Sequence, residues 1–567
     1  MTDTSSVLII GTGLAGLVAA YELTKRYIPV TLIDQEPSHF LGGQAFWSLG
    51  GIFCVNSSDQ RSNGIQDNYA LAMQDWLNTA KFDRDREDRW PKQWAEAFVK
   101  FAETDMERYL KDKGIKFLAV GWAERGAGEA GGHGNSLPRF HLTWGTGPAI
   151  VDAFAEPVLR MAEKHPGLVT FKFRHQVDDL VLDASGSAIG VRGKILEPAD
   201  NVERGAATSR VTIGDFEIRG KAVLISTGGI GGNIDAVKRN WPVDRLGPVP
   251  SSFVVGVPAH VDGRGVQIAA AAGGNTVNMD RMWHYTEGLA NWNPIWPSHG
   301  IRVIPGPSSL WLDATGKRLP AFLYPGCDTL ATLKHICSTG HSYTWFILNR
   351  AVISREFSLS GSEQNPDITG KSYLKLLHRV FTRWGTWQVQ DFMKFGEDFV
   401  VEQDLDKLVE GMNRLAATRN GPVLELDAVH KVIHDRDVQT TNKYTKDAQV
   451  MLVRNARTYK PDARRIAKPA PLLNPADGPL IAVRMNILTR KSLGGLETDL
   501  EGNVLRASGE AFKGLYAAGE ASGFGGGGMH GYSSLEGTFL GGCIFSGLKA
   551  GKAMADLVGG KSETARL

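Results

Sequence analysis

The hydrophobic pattern opens with a short continuous run, Val7-Leu8-Ile9-Ile10, of the kind a strand covered on both faces requires. Glycines follow at once in Gly11-Thr12-Gly13-Leu14-Ala15-Gly16, and Leu17 to Tyr27 reads as a helix with small residues along one side. A second apolar run, Val30 to Ile33, ends at Asp34 and completes the start of a βαβ unit. A segment rich in Gly, Phe and Trp occupies Leu41 to Phe53, and charged, helix-forming sequence covers about 67–113. Residues 167–225 are β-rich, with alternating runs such as Val211-Thr212-Ile213. Ala222-Val223-Leu224-Ile225 is another buried strand, meeting a glycine turn at Thr227-Gly228-Gly229. From 245 to 475 the chain is dense in Trp, Tyr, His and Pro and reads as mixed α+β. A strand from Leu515 then leads into Gly519-Glu520, a glycine-rich loop, and a helix from Ser534. The pattern predicts an α/β fold. A Rossmann-like dinucleotide-binding domain is expected from 1–244 and 476–567, with an α+β capping domain inserted at 245–475.

Length agrees with more than one unit, since 567 residues exceed what a single core sustains. Composition changes the picture little: 42% hydrophobic and 22% charged residues are ordinary globular values. The glycines, 66 in all, cluster, which points to close backbone approach to a ligand. A net charge of +2 with no basic tail argues against a nucleic-acid partner. No apolar stretch reaches spanning length, so no integral membrane segment is expected. Met1 to Ser6 has no signal-peptide character, and cytoplasmic residence is the expectation. Cys54, Cys327, Cys337 and Cys543 form no Cys-x-x-Cys pair and read as reduced thiols rather than a zinc site.

The candidate chemistry starts at the first turn. Gly11 would allow the tight turn, Gly13 would let the backbone approach a pyrophosphate, and Gly16 would let helix and strand pack closely. The pyrophosphate would sit on the helix N-terminus beside Leu14 and Ala15, where free N–H groups favour an anion. Asp34, followed by Gln35, lies 23 residues past Gly11, the right reach for a ribose hydroxyl. Gly42-Gly43-Gln44 and Ser48-Leu49-Gly50-Gly51 suit an extended loop lying along a long cofactor.

With the later blocks Thr227-Gly228 and Gly519-Glu520 in order, the chain resembles the flavoprotein superfamily of fumarate reductases and 3-ketosteroid dehydrogenases. The resemblance covers 1–55, about 139–233 and 479–555, and is weak in the middle. It implies FAD. It also implies that Ala15 and Asp34 meet pyrophosphate and ribose, and that Gly43, Gln44, Ser48 and Gly51 line the flavin. Val177 would meet adenine, Glu520 the ribityl chain, and Ser534 and Leu535, opening the last helix, the pyrimidine end. Gln44 stands where relatives with covalent flavin carry His, so the FAD is expected to be non-covalent.

On the substrate side, fumarate reductases clamp a dicarboxylate with His and Arg. Here Lys491-Ser492-Leu493-Gly494-Gly495 replaces their His-Thr-Met-Gly-Gly, and Ser534 replaces an Arg, which disfavours fumarate. Ketosteroid dehydrogenases use tyrosines, and Tyr324 and Tyr532 stand at about the matching positions. The resemblance therefore implies dehydrogenation of a CH–CH bond beside a ketone of a bulky apolar small molecule, with hydride passing to flavin N5. Tyr532 is the acid/base candidate, with His530 or Tyr324 assisting. Where the family has an oxyanion-binding Gly four residues after the second Tyr, this chain has Glu536 and then Gly537. Arg281-Met282-Trp283-His284-Tyr285 reads as an aromatic wall, with His284 and Tyr285 as further candidates. Arg302 is the nearest basic residue that could replace a missing clamp, although a surface role is the commoner fate of an Arg. The alternatives are an ene-reductase or fumarate-reductase-like enzyme working in the reducing direction, and a non-catalytic flavin-binding protein. No electron acceptor is legible.

Overall fold

A computed structural model describes residues 7–126, 134–382 and 384–559, with 380 and 381 described by backbone alone. Its first sheet has six strands, in the spatial order Asn503–Leu505, Ala511–Ala517, Ala222–Ile225, Val7–Ile10, Val30–Ile33 and Val169–Lys172. All neighbours pair in parallel except the Asn503–Leu505 edge strand. Val7 lies beside both Val30 and Ala222, so the first strand is central, and each of its residues is buried. This is why it reads as an uninterrupted apolar run.

The first helix spans Leu14–Thr24 and starts directly at the glycine turn, earlier than the expected Leu17. Its small face packs on the last helix, Thr538–Val558, where glycines allow backbone contact. A Cβ at Gly547 would lie 2.5 Å from the Ala15 carbonyl oxygen, and one at Gly551 2.9 Å from Ala19 Cα. The two ends of the chain thereby build one layer against one sheet. A separate antiparallel sheet, His175–Leu182, Ala188–Leu196 and Thr212–Arg219, accounts for the β-rich stretch.

The second large sheet has eight strands and holds the middle of the chain. Its longest strand, Leu480–Ser492, pairs with Tyr343–Asn349 on one side and Met282–Ala290 on the other. Val254–Val255 and Phe399–Glu402 pair with it as well. The expected return to the first domain at 476 therefore falls before a strand that belongs to the second sheet. That sheet continues to Ser492, and the first sheet resumes at Asn503. Trp311, Trp345, Phe346 and Phe392 fill the core beneath it. Where this strand leaves the second sheet, it passes between the two units. Arg490 and Lys491 are thus placed on a shared cavity wall.

Candidate active site

A deep cavity, open to solvent, lies between the two sheets. At one end is the glycine turn. Gly11 has φ +96°, and a Cβ there would come 2.7 Å from the Ser226 carbonyl oxygen, so only glycine fits. In front of Gly13 a Cβ would meet nothing nearer than 3.8 Å, which leaves the backbone open to a ligand. Gly16 does not line the cavity. Its Cβ would strike the Gly11 carbonyl oxygen at 2.4 Å, so it serves the packing of helix on turn. Leu14 and Ala15 line the cavity at the start of the first helix, whose N-cap Gly13 offers no capping side chain to its free amides.

Asp34 is fixed at the rim. One carboxylate oxygen accepts from Thr12 N at 2.8 Å and Thr12 Oγ1 at 2.6 Å, and the other accepts from Glu36 N at 2.9 Å. Asp34 and Gln35 both line the cavity, as do Val177, Thr227 and Gly228. The Thr227 hydroxyl is buried without a hydrogen-bond partner among the described residues. The loop 43–51 supplies Gly43, Gln44, Ser48, Leu49, Gly50 and Gly51. Gly42 stands behind it, its absent Cβ leaving room for Val151. Gln44 Nε2 donates to Glu520 Oε2 at 2.9 Å, and Lys491 Nζ donates to Gln44 Oε1 at 2.5 Å. Burial lowers the Lys491 pKa, with Glu520 opposing. Gly519 and Glu520 complete this wall. An open amide turn, an anchored carboxylate at ribose reach and a glycine-lined trough fit a dinucleotide as long as FAD.

The other end of the cavity carries a charge cluster that the sequence did not reveal. Arg302 is buried to 3% exposure rather than at the surface, because its strand Gly300–Ile304 lies inside the second sheet. Its Nη1 donates to Glu536 Oε1 at 2.7 Å, and its guanidinium covers the Tyr285 ring at 3.8 Å. Nε and Nη2 have no hydrogen-bond partner among the described residues. Burial pulls Arg302 toward neutrality, but Glu536, Tyr285, Glu287 and Glu124 outweigh it and hold the cation. Burial, reinforced by Glu536, pushes the Tyr285 phenol up. Burial and the same Glu536 push Glu124 up, and burial does so for Glu287. Tyr285, Arg302 and Glu536 line the cavity together with Phe140, Ile304, Phe524, Phe539 and Leu540.

The other expected residues lie elsewhere. Tyr532 points away from the cavity, its hydroxyl donating to Asp83 at 2.8 Å and its ring facing Arg281 at 4.1 Å and Arg245 at 4.5 Å. The cause is the preceding turn: Gly531 has φ +58°, and Tyr532 N bonds Ala80 O. His530 stacks on Trp76 and meets Thr538 Oγ1 at 2.9 Å, outside the cavity wall, with burial lowering its pKa to about 3. His284 packs against Trp241 and Phe253, both nitrogens lack hydrogen-bond partners among the described residues, and burial lowers its pKa to about 3. Tyr324 is buried near Phe322 and is absent from the wall. Ser534 and Leu535 precede the last helix, which begins at Thr538, and they line a smaller chamber behind Glu536. Gly537, φ +89°, is the residue at the cavity where that helix starts. Arg302 could have been found from one signal, an Arg in the apolar run Gly300–Ile304, where a buried cation needs an acid partner.

A family model described as "FAD binding domain" matches residues 6–540, and the chain belongs to that family of flavoproteins. Full-length relatives narrow the assignment. The chain is 54% identical over 98% of its length to a KsdD-like steroid dehydrogenase of Mycobacterium tuberculosis, covering 96% of that protein. It is 55% identical over 94% of its length to one of Mycolicibacterium smegmatis, again covering 96%. The chain belongs with these proteins and is an FAD-dependent dehydrogenase. Among solved structures, a 3-ketosteroid delta1-dehydrogenase from Sterolibacterium denitrificans in complex with 1,4-androstadiene-3,17-dione shares the fold. Its TM-score is 0.66 at 14% identity, with 98% of this chain and all (100%) of that one covered.

Proposed function

We propose that the enzyme oxidises a CH–CH bond next to a ketone in a bulky, mostly apolar molecule of steroid type. The observation that carries this reading is Arg302: a buried cation on the cavity wall, with two donor nitrogens free of hydrogen-bond partners among the described residues, beside the Tyr285 phenol and the Glu536 carboxylate. The phenol, pushed up, stays protonated at neutral pH and serves as a donor. Arg302 and Tyr285 hold the ketone oxygen, which acidifies the neighbouring C–H. Glu536 takes that proton, and Arg302 neutralises the charge left on the substrate oxygen. FAD, when bound, supplies the two-electron acceptor for the accompanying hydride. Phe140, Phe524, Phe539 and Leu540 give the apolar wall. Arg302 pairs with Glu536 and Lys491 with Glu520, so neither is left free to clamp a dicarboxylate.

Two further points belong to this reading. The FAD is held without a covalent bond, because Gln44 occupies the covalent His position and is engaged by Glu520 and Lys491. The enzyme works in the cytoplasm, where four free cysteines persist as thiols.

Anaerobic stopped-flow bleaching of the holoenzyme tests the reaction. Ketosteroids are expected to bleach the flavin, and succinate is not. Bleaching by succinate alone, or reoxidation fastest with fumarate, would replace the reading with a reductase.

A further inference from the structure

The helix Tyr373–Phe381 has its amphipathicity turned outward. Its apolar residues Tyr373, Leu374 and Leu377 are 68%, 82% and 53% exposed. At 100° per residue these positions share one arc, with exposed His378 and Lys375 flanking it and Arg379 on the far side. Arg379 faces the protein, where Nη2 donates to Asn365 and Asp367 at 2.8 and 2.9 Å. An ordinary surface helix buries the apolar arc and solvates the charges. Trp384 and Trp387, just after the helix, are also 46% and 50% exposed. Exposed aromatic and leucine side chains gathered on one short stretch are rare on a surface that meets only water.

The charge says what covers this face. Between Asp367 and Asp391 the sequence holds no Asp or Glu, yet it carries Lys371, Lys375, Arg379 and Arg383 in a chain of net charge +2. Lys371 and Lys375 are exposed. Leucines and aromatics flanked by lysines match the interface of an anionic lipid bilayer, where rings and leucines enter the acyl boundary and ammonium groups meet headgroups.

The stretch is anchored to the cavity. Ser360 lines the cavity, and Ser362 Oγ donates to the Phe46 carbonyl oxygen at 2.7 Å. Thr369 meets Thr146 at 2.8 Å, and Tyr373 stacks on Trp144 with centroids 4.9 Å apart. We propose that Tyr373–Phe381 and the following tryptophans dock this enzyme reversibly on the surface of an anionic lipid bilayer. The cavity loop is thereby brought to the phase in which an apolar substrate dissolves. That purpose rests on the proposed apolar substrate, while the docking itself is carried by the exposed helix and its charge.

Flotation of the FAD-loaded enzyme with vesicles tests it. The enzyme is expected to float with mixed phosphatidylglycerol and phosphatidylcholine vesicles, and far less with phosphatidylcholine alone. Lys371→Gln with Lys375→Gln should weaken binding roughly thirtyfold, about fivefold for each charge. Leu374→Asp with Leu377→Asp should abolish flotation, while the flavin absorbance and turnover of a detergent-free soluble substrate stay at parental values. Vesicle binding unaffected by either pair, or no binding to either vesicle, overturns the proposal. So does a concentration-dependent dimer that the leucine pair converts to monomer while flotation is absent. Flavin bleaching in solution is read separately, so failure of docking and failure of the proposed reaction are distinguishable.

Discussion

At the scale of single residues, the cavity's chemistry rests on how a guanidinium and its acids share a buried space. Arg302, 3% exposed, has one hydrogen-bonded carboxylate, Glu536, and two further acids, Glu124 and Glu287, whose carboxyls are pushed up. Glu536→Gln keeps the shape and a hydrogen-bond acceptor for Arg302 but loses the proton acceptor. Steady-state turnover with a ketosteroid should fall roughly 10²- to 10⁴-fold at unchanged flavin content. Tyr285→Phe should cost about a hundredfold or more in kcat, the scale of one lost oxyanion donor. Three histidines outside the cavity wall set a different property. Burial lowers the pKa of His284, His299 and His530 to about 3 each. The unfolded chain binds those protons near pH 6.5, so between pH 6.5 and 3 it holds more protons than the fold. Stability therefore falls as pH falls through that window. His284→Phe, between Trp241 and Phe253, should make the acid limb of urea-denaturation stability against pH measurably shallower.

At the scale of elements, the first helix reaches the cavity wall only because the last helix holds it in place. Gly547 and Gly551 let the two backbones touch, and Ala15, against Gly547, lines the cavity on its other side. Gly547→Val should push the helices apart. Overpacking of this kind costs about 1–3 kcal/mol, and the ratio of flavin to protein absorbance should drop in the same purified sample. Elements also explain what was legible. The turn residues Gly11, Gly13 and Asp34 could be placed from sequence because strand, turn and helix are neighbours in the chain. Tyr532 could not. Its direction depends on Gly531 wrapping against Ala80, a contact between distant segments. The helix expected from Ser534 begins at Thr538, because the glycine with positive φ at 537 turns the chain first.

At the scale of the whole molecule, one sheet draws on both ends of the chain and the cavity lies between two sheets. Binding at such a seam couples cofactor to global stability. Removing FAD should lower unfolding free energy, and added FAD should restore about 4 kcal/mol at a thousandfold excess over Kd, read from the denaturation midpoint. The second sheet reaches further than sequence suggested. Leu480–Ser492 reads as part of the returning Rossmann unit, yet it pairs along its length with Tyr343–Asn349 and Met282–Ala290. Its apolar start, Leu480 to Val483, carries no mark of which sheet it joins.

By itself, the sequence determined the class of fold, the glycine turn and the trough that runs past Gln44, since these depend on residue types at short spacing. Only the tertiary structure decided which groups face the substrate end. Tyr285 and Arg302 come from two strands of the second sheet and Glu536 from the loop before the last helix. They meet because hydrogen-bonded strands and touching glycines close the cavity around them. Side-chain direction at such a meeting is set by burial and charge pairing across the chain, which local pattern does not carry.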